Sequence, residues 1–205
     1  MNALILVDIQ YDFIPGGALA VTEGDAIIPL VNRLIPQFDL VVATQDWHPH
    51  NHESFASQHT GQQVGEVIDL YGLSQVLWPD HCIQGSQGAA FIDSLDQRPI
   101  QKIFQKGTDP TIDSYSGFFD NGHRKATGME DYLREMGVDQ VFVVGLAADY
   151  CVKFTAMDAQ ELGFQTHVFM DATRGVNLSP GDTQKAFDDM NQLGIQLLSG
   201  ANWRS

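Results

Sequence analysis

The chain has 205 residues, 43% of them hydrophobic, which is enough for one domain with a sizeable core. We therefore expect a single domain over residues 1–205. A formal net charge of −15 at pH 7 argues against nucleic acid or an anionic membrane as a partner. The longest early apolar stretch is too short for a membrane span and has no basic leader, so we expect a cytoplasmic location.

Strand-like apolar runs alternate with helical patterns along most of the chain. The predicted strands span residues 3–9, 40–44, 100–105, 140–145, 165–171 and 195–198, and the predicted helices span 25–38, 88–95, 127–136, 149–162 and 180–193. This pattern predicts an α/β fold, with a mostly parallel central sheet of about six strands and helices on both faces. The stretches 45–87 and 106–126 fit the alternation poorly, and long irregular segments are often functional.

A lone thiol, Cys151, lies just past the predicted strand 140–145, where a helix begins. Unpaired backbone N–H groups at a helix start stabilise a thiolate and can donate to an oxyanion beside it. Most buried cysteines are inert small hydrophobic residues, so this segment by itself leaves both interpretations open. Cys82 is the only other cysteine; reduced thiols fit better than a disulfide, and Cys82 is interpreted as a packing residue.

Two charged residues at the tips of predicted strands favour the catalytic interpretation. Asp8 ends the first apolar run, and Lys106 follows the strand 100–105. A lone charge beside a sheet core is costly unless it is paired or near water, and strand ends of an open parallel sheet border the ligand crevice. A structural ion pair is the alternative. Together with Cys151, these residues are the types that a Cys-Asp-Lys amidase needs.

The segment that follows the strand 40–44 is rich in histidine and predicts a metal site. Asp46 and His48 are two residues apart, so they project to the same side of an extended backbone. His81 is a candidate third ligand, and His52 is a reserve ligand. Two imidazoles and one carboxylate leave coordination positions open, as in a catalytic site, but do not select the metal. A merely solvated histidine-rich loop is the alternative.

Several short motifs occur in order along nearly the whole chain. They are Leu6-Val-Asp-Ile-Gln-Tyr-Asp-Phe13, Gly16-Gly-Ala-Leu-Ala-Val21, Gln45-Asp-Trp-His-Pro49, Trp78-Pro-Asp-His-Cys82, Lys106-Gly107, Asp113-Ser-Tyr-Ser-Gly-Phe118 and Gly145-Leu-Ala-Ala-Asp-Tyr-Cys-Val152. This ordered set resembles the nicotinamidase branch of the isochorismatase-like cysteine hydrolases. Isochorismatases lack the nucleophilic cysteine and related carbamoyl amidases generally lack the metal ligands, whereas this chain has both.

The resemblance implies a role for each matching residue. The implied catalytic triad is Asp8, Lys106 and Cys151, and the implied metal ligands are Asp46, His48 and His81. The side chains implied to line a pocket for an aromatic ring are Phe13, Leu19, Trp78 and Tyr115. The resemblance also implies a cis bond between Leu146 and Ala147, and an oxyanion hole made by the N–H groups of Ala147 and Cys151.

The implied activity is hydrolysis of nicotinamide to nicotinate and ammonia through a cysteine thioester, in NAD salvage. The implied cofactor is one divalent ion, zinc first, with iron or manganese as alternatives. The implied partner is the small-molecule substrate, and a homo-oligomer is compatible with the sequence. Two other functions stay open: an amidase of the same superfamily acting on a carbamoyl or ureido substrate, and a non-catalytic interaction module.

Overall fold

The computed structural model describes residues 1–203. The strands are β1 (Asn2–Val7), β2 (Leu40–Asp46), β3 (Val67–Leu70), β4 (Leu73–Val76), β5 (Lys102–Lys106), β6 (Gln140–Leu146), β7 (Gln165–Arg174) and β8 (Gln196–Leu198). The α-helices are α1 (Ile28–Leu34), α2 (Met129–Glu135), α3 (Lys153–Glu161) and α4 (Asp182–Gln192). Six strands form one parallel sheet in the order β5-β2-β1-β6-β7-β8, and β3 and β4 form a separate antiparallel hairpin.

The central strand β1 is buried on both faces because its side chains alternate between two cores. Leu4 and Leu6 pack with Val31 of α1 on one side. Ile5 and Val7 pack on the other side with buried residues of α2, α3 and α4. A continuous apolar strand covered on both faces is the feature from which the sequence predicts an α/β fold, and this prediction is confirmed.

Four of the five predicted helices keep their places, and two of these four change type at their ends. The segment predicted at 25–38 is a 3₁₀ turn (Gly24–Ile27), then α1, then a second 3₁₀ turn (Ile35–Gln37). Pro36 lies in the second turn, where its ring and missing N–H prevent the α-helix from continuing. The helix predicted at 149–162 begins as a π-helical turn (Ala148–Val152) before α3.

The helix predicted over 88–95 is wrong. Backbone groups of this segment bond with residues 9–12, and the Leu95 N–H donates to the Ile92 carbonyl in a single turn, so no helix forms. The Asp12 N–H donates to the Gly88 carbonyl at 3.0 Å, and the Tyr11 N–H donates to the Ala90 carbonyl at 3.1 Å. A β-carbon at Gly88 would collide with the Asp12 carboxylate, so this residue permits the close approach. Tertiary pairing has replaced the local helical preference.

The stretch 45–87, predicted to be irregular, contains the β3–β4 hairpin. Tyr71 and Gly72 connect the two strands with φ of 52° and 84°, the two positive values that a tight hairpin turn requires. Among the described residues, no helix is long and apolar enough to cross a membrane.

The strand order reverses beside β1, because the chain adds β2 and β5 on one side and β6, β7 and β8 on the other. In open parallel sheets, ligands bind at the carboxyl ends of the strands where the order reverses. Asp8 follows β1 directly, and the turn that carries Cys151 follows β6. The fold therefore brings both residues to the same crevice.

Candidate active site

Lys106 lies at the centre of a buried cluster of charged groups. The β2–β5 register pairs Asp46 with Lys106, and the Lys106 Nζ lies 2.6 Å from the Asp46 Oδ1. The same nitrogen lies 2.8 Å from the Asp8 Oδ2 and 3.4 Å from the Cys151 Sγ, and it donates to the Ser114 carbonyl at 2.9 Å. Burial lowers the pKa of Lys106, but the two carboxylates outweigh it and raise this pKa well above its usual value.

Asp8 is held in place by its neighbour on β2. The Thr44 Oγ1 donates to the Asp8 Oδ1 at 2.7 Å, and the Asp8 N–H donates to the Thr44 Oγ1 at 3.2 Å. Asp8 has a φ of 47°, a left-handed conformation that is uncommon for non-glycine residues. Burial raises the pKa of Asp8, although Lys106 opposes it. A carboxylate of raised pKa is a better proton acceptor than an exposed one.

Cys151 lies in the π-helical turn that follows β6. The Leu146–Ala147 peptide bond before this turn is cis, as the resemblance implies. Gly145 has a φ of 119°, and a β-carbon there would collide with the Val7 carbonyl, so glycine allows β6 to end close against β1. Burial raises the pKa of the Cys151 thiol well above its usual value, although Lys106 opposes it, while Asp8 raises it further. The effect of burial on the thiol pKa is therefore larger than the stabilisation of a thiolate expected from the start of the helix.

Asp46, His48 and His81 converge at the edge of the crevice, with ligand atoms all within 4.8 Å of one another. The Asp46 Oδ2 lies 3.3 Å from the His48 Nε2 and 3.4 Å from the His81 Nε2. The His48 Nδ1 bonds to the Gly107 carbonyl at 2.9 Å, and the His81 Nδ1 bonds to the Pro79 carbonyl at 2.8 Å. A carbonyl accepts only, so each Nδ1 carries the proton and each Nε2 presents its lone pair.

This donor arrangement fits a divalent cation. The His48 Nε2 is buried and has no hydrogen-bond partner among the described residues. Two imidazole lone pairs and a carboxylate oxygen that face one another repel unless a cation or a proton lies between them. A β-carbon at Gly107 would collide with the His48 ring, so glycine is needed where the backbone supports this ligand.

His52 takes part in a second group of potential ligand atoms, together with His48 and Asp113. The His52 Nδ1 accepts the Ser54 N–H at 3.1 Å, which leaves the ring proton on Nε2 in the neutral form. Burial lowers the pKa of His52 to about 4, so the ring is neutral at pH 7. In this tautomer the His52 Nε2 offers no lone pair, and the His52 ring packs on the His48 ring with centroids 4.4 Å apart.

The group formed by Asp46, His48 and His81 is termed the metal-type cluster. A cavity opens directly onto the Cys151 thiol and onto this cluster. The cavity is narrow, with about 20 Å³ open to the centre of a water-sized sphere. The residues that line it are Phe13, Leu19, Asp46, Trp78, His81, Asp113, Tyr115, Ala147, Tyr150, Cys151 and Val176. All four side chains that the resemblance implies for a ring pocket are among them. The Trp78 Nε1 donates to the Tyr115 hydroxyl at 3.0 Å and fixes these two aromatic walls relative to each other.

Sequence reasoning assigned no role to several residues of the site. Thr44 lies two residues before Asp46 on β2, a spacing that could have indicated a shared face. Tyr150 precedes Cys151 and lies within a recognised motif. Val176 follows β7 and has no local signal, because only the strand order of the sheet brings it to the cavity.

The isochorismatase domain family matches residues 2–202 of this chain. The chain belongs to this family. Its similarity to a nicotinamidase of Escherichia coli (strain K12) is 50% identity, over 98% of this chain and 96% of the relative. The sequence-based assignment to this superfamily is thus confirmed.

Two solved structures extend the comparison. The yeast nicotinamidase Pnc1p bound to the inhibitor nicotinaldehyde is 33% identical, with a TM-score of 0.91 over 97% of this chain and 100% of that one. A pyrazinamidase of Pyrococcus horikoshii in complex with zinc is 39% identical, with a TM-score of 0.79 over 97% and 98% of the two chains. The parallel sheet and its helices therefore match those of two relatives, one solved with nicotinaldehyde and the other with zinc.

Proposed function

We propose that the protein is an amidase that hydrolyses nicotinamide to nicotinate and ammonia in NAD salvage, acting in the cytoplasm as one domain over residues 1–205. The observation that carries this proposal is the contact of Cys151 with Lys106, which also contacts Asp8. Cys151 lines one largely apolar cavity together with Asp46 and His81 of the metal-type cluster. The 50% identity to the E. coli nicotinamidase supports the choice of substrate.

The reaction starts with a neutral thiol, because burial disfavours the thiolate in the resting site. As the Cys151 sulfur attacks the carboxamide carbon, its proton passes to Asp8 and the carbonyl electron pair moves to oxygen. The Lys106 ammonium lies within 3.4 Å of both the sulfur and the nearer Asp8 oxygen. It therefore stabilises the negative charge on either group throughout the proton transfer, and it supplies charge rather than a base.

The tetrahedral intermediate then collapses to a thioester. The backbone N–H groups of Ala147 and Cys151 hold the oxyanion, and Asp8 returns its proton to the departing nitrogen, so that the C–N bond breaks and ammonia leaves. Asp8, again ionised, takes a proton from water as the water oxygen attacks the thioester carbon. The C–S bond breaks, Asp8 passes its proton to the Cys151 sulfur, and the acid product loses the second proton of the water molecule to solvent and leaves as nicotinate.

The ring of the substrate lies between Phe13, Leu19, Trp78 and Tyr115 in this proposal. Flat aromatic side chains offer large apolar contact at low conformational cost, which suits a heteroaromatic ring. Tyr115 is buried, and burial raises its pKa well above the usual value, so its hydroxyl stays neutral beside the ring. The Trp78–Tyr115 hydrogen bond fixes these two walls of the pocket relative to each other.

Asp46, His48 and His81 would hold one divalent ion, for which zinc is the first choice because a zinc-bound pyrazinamidase is 39% identical. When bound, such an ion supplies a Lewis-acid position for the ring nitrogen or for a water molecule. Asp46 also contacts Lys106, so this carboxylate links the cluster to the catalytic group. Lys106 and His48 keep the pKa of Asp46 well below its usual value against the effect of burial, and the carboxylate is ionised at neutral pH.

The test is release of ammonia and nicotinate from nicotinamide by the purified full chain, with Cys151→Ala as the control. Multiple turnovers of nicotinamide by the wild type, and none by the variant, are expected. A ureido or carbamoyl substrate assayed in parallel decides between this proposal and another amidase of the superfamily. Faster turnover of the ureido substrate, or no turnover of either, would overturn the proposal.

A further inference from the structure

Asp149 is a buried carboxylate close to the nucleophile that has no part in the proposed reaction. It lies two residues before Cys151, in the same π-helical turn, and is 9% exposed. Its Oδ1 accepts the Val176 N–H at 2.9 Å, and its Oδ2 accepts the Asn177 N–H at 2.7 Å. One side chain thus binds two consecutive backbone N–H groups of a distant segment.

The segment held by Asp149 forms one wall of the cavity. Val176 lines the cavity together with Cys151, and it follows β7, which ends at Arg174. Asn177 has a φ of 53°, so the chain turns sharply directly after the wall residue. A β-carbon at Gly175 would collide with the Thr183 hydroxyl and lie 3.2 Å from the Asp149 Cγ, which shows how closely the segment packs on the carboxylate.

We infer that Asp149 is a positioning residue that holds Val176 against the substrate ring, and that Val176 limits which ring substituents the enzyme accepts. The inference rests on the proposed function, since it assigns the wall to the same ring pocket. The physical reason is that an ionised carboxylate accepts two charge-assisted hydrogen bonds in the geometry of adjacent amides. The turn that carries the nucleophile thereby fixes the wall of the substrate pocket.

Substitutions at Asp149 remove one or both of its hydrogen bonds to the backbone of Val176 and Asn177. Asn keeps one acceptor oxygen and Ala keeps none, so Asp149→Asn should have an intermediate effect. Because the wall contacts the ring rather than the reacting carbon, KM for nicotinamide should rise about tenfold in Asp149→Ala, while kcat changes less than about threefold. A merely structural role would lower the melting temperature without this split between KM and kcat.

Asp171 supplies the matched control. Its carboxylate also accepts two backbone N–H groups, from Gly200 at 2.7 Å and Ala201 at 3.1 Å, but it does not line the cavity. Asp171→Ala should lower the melting temperature as Asp149→Ala does, yet leave KM for nicotinamide unchanged. An equal rise of KM in both variants would mean that general loosening, and not the wall, sets KM.

Val176→Ala tests the wall without removing the carboxylate, and it serves if Asp149→Ala does not fold. With nicotinamides methylated singly at each ring carbon, this variant should accept at least one methylated amide about tenfold better than the wild type. The double variant Asp149→Asn/Val176→Ala should show no further rise of KM beyond the worse single variant.

The outcomes of these experiments distinguish the proposed function from the positioning role of Asp149. A wild type that fails to hydrolyse nicotinamide refutes the proposed function. An active Asp149→Ala or Asp149→Asn enzyme with unchanged KM, or a Val176→Ala enzyme with unchanged substrate range, overturns the positioning role and leaves the proposed function intact.

Discussion

Cys151 and Cys82 are both buried, yet their surroundings differ in the two features that make a thiol useful. Cys151 contacts Lys106, lies next to Asp8 and lines a cavity. Cys82 is completely buried, and its Sγ contacts the Gly88 carbonyl at 4.0 Å. Burial raises the pKa of both thiols well above the usual value. The pKa of the thiol therefore does not distinguish the two cysteines. What distinguishes Cys151 is a neighbouring proton acceptor, a neighbouring cation and access to the substrate cavity.

The largest expected effect separates the two thiols directly. Cys151→Ala should lower kcat for nicotinamide by a factor of about 10⁴ or more, since no other group can form the covalent intermediate. Cys82→Ala should keep kcat within about threefold and cost about 1 kcal/mol of the free energy of unfolding. Steady-state kinetics and thermal unfolding of both variants check this. Robust turnover by a folded Cys151→Ala enzyme would eliminate covalent catalysis.

Asp8 should account for the next largest effect. Asp8→Asn removes the proton acceptor and should lower kcat/KM by roughly 10²- to 10⁴-fold. In the wild type, kcat/KM should fall as the pH drops and Asp8 becomes protonated. Because burial raises the pKa of Asp8, this acid limb should lie above 3.8, the usual pKa of an aspartate. The measurement is the pH–rate profile.

The reactivity of the two thiols sharpens the same test. Alkylation of Cys151 should slow markedly in Asp8→Asn, because the thiol loses the group that takes its proton. Alkylation of Cys82, followed by mass spectrometry in the same samples, should not change. Equal slowing at both cysteines would point to a general change of structure and would contradict a local role for Asp8.

A smaller effect is expected from the metal-type cluster. The purified protein should carry about one divalent ion per chain, and His81→Ala should lower occupancy and activity together, by roughly 10- to 100-fold. His50, which is exposed in the same histidine-rich segment as His48, provides the control: His50→Ala should change neither. Elemental analysis beside the activity assay is the measurement. A metal-free enzyme of full activity would contradict this assignment.

The smallest expected effect concerns the ring. Nicotinamide should be at least about tenfold better than benzamide in kcat/KM. Benzamide has no ring nitrogen, so it leaves the metal-type cluster without a polar partner on the substrate. Pyrazinamide, which keeps a nitrogen at the matching ring position, should remain a substrate. Chelation should reduce turnover of nicotinamide more than turnover of benzamide. Equal kcat/KM for nicotinamide and benzamide on the metal-loaded enzyme would show that the metal-type cluster does not interact with the ring nitrogen.

The sequence by itself determined the fold class and the identity of the residues that converge. Continuous apolar runs specify buried parallel strands, because only strands covered on both faces bury such runs completely. A charged or reactive residue at the tip of such a strand predicts a crevice position, as for Asp8 and Lys106. The Asp46–His48 spacing predicts a shared face, and both side chains do meet His81 at one point.

Only the tertiary structure decided what depends on distant partners. The segment 88–95 has a helical pattern, but its backbone groups bond to residues 9–12. The local pattern of apolar residues does not show which distant backbone groups a segment will contact. Val176 reaches the cavity, and Asp149 reaches Val176, through the order of strands in the sheet. The raised pKa of the Cys151 thiol depends on burial and on the net balance of surrounding charges. These are properties of three-dimensional proximity, and a local pattern of residue types cannot encode them.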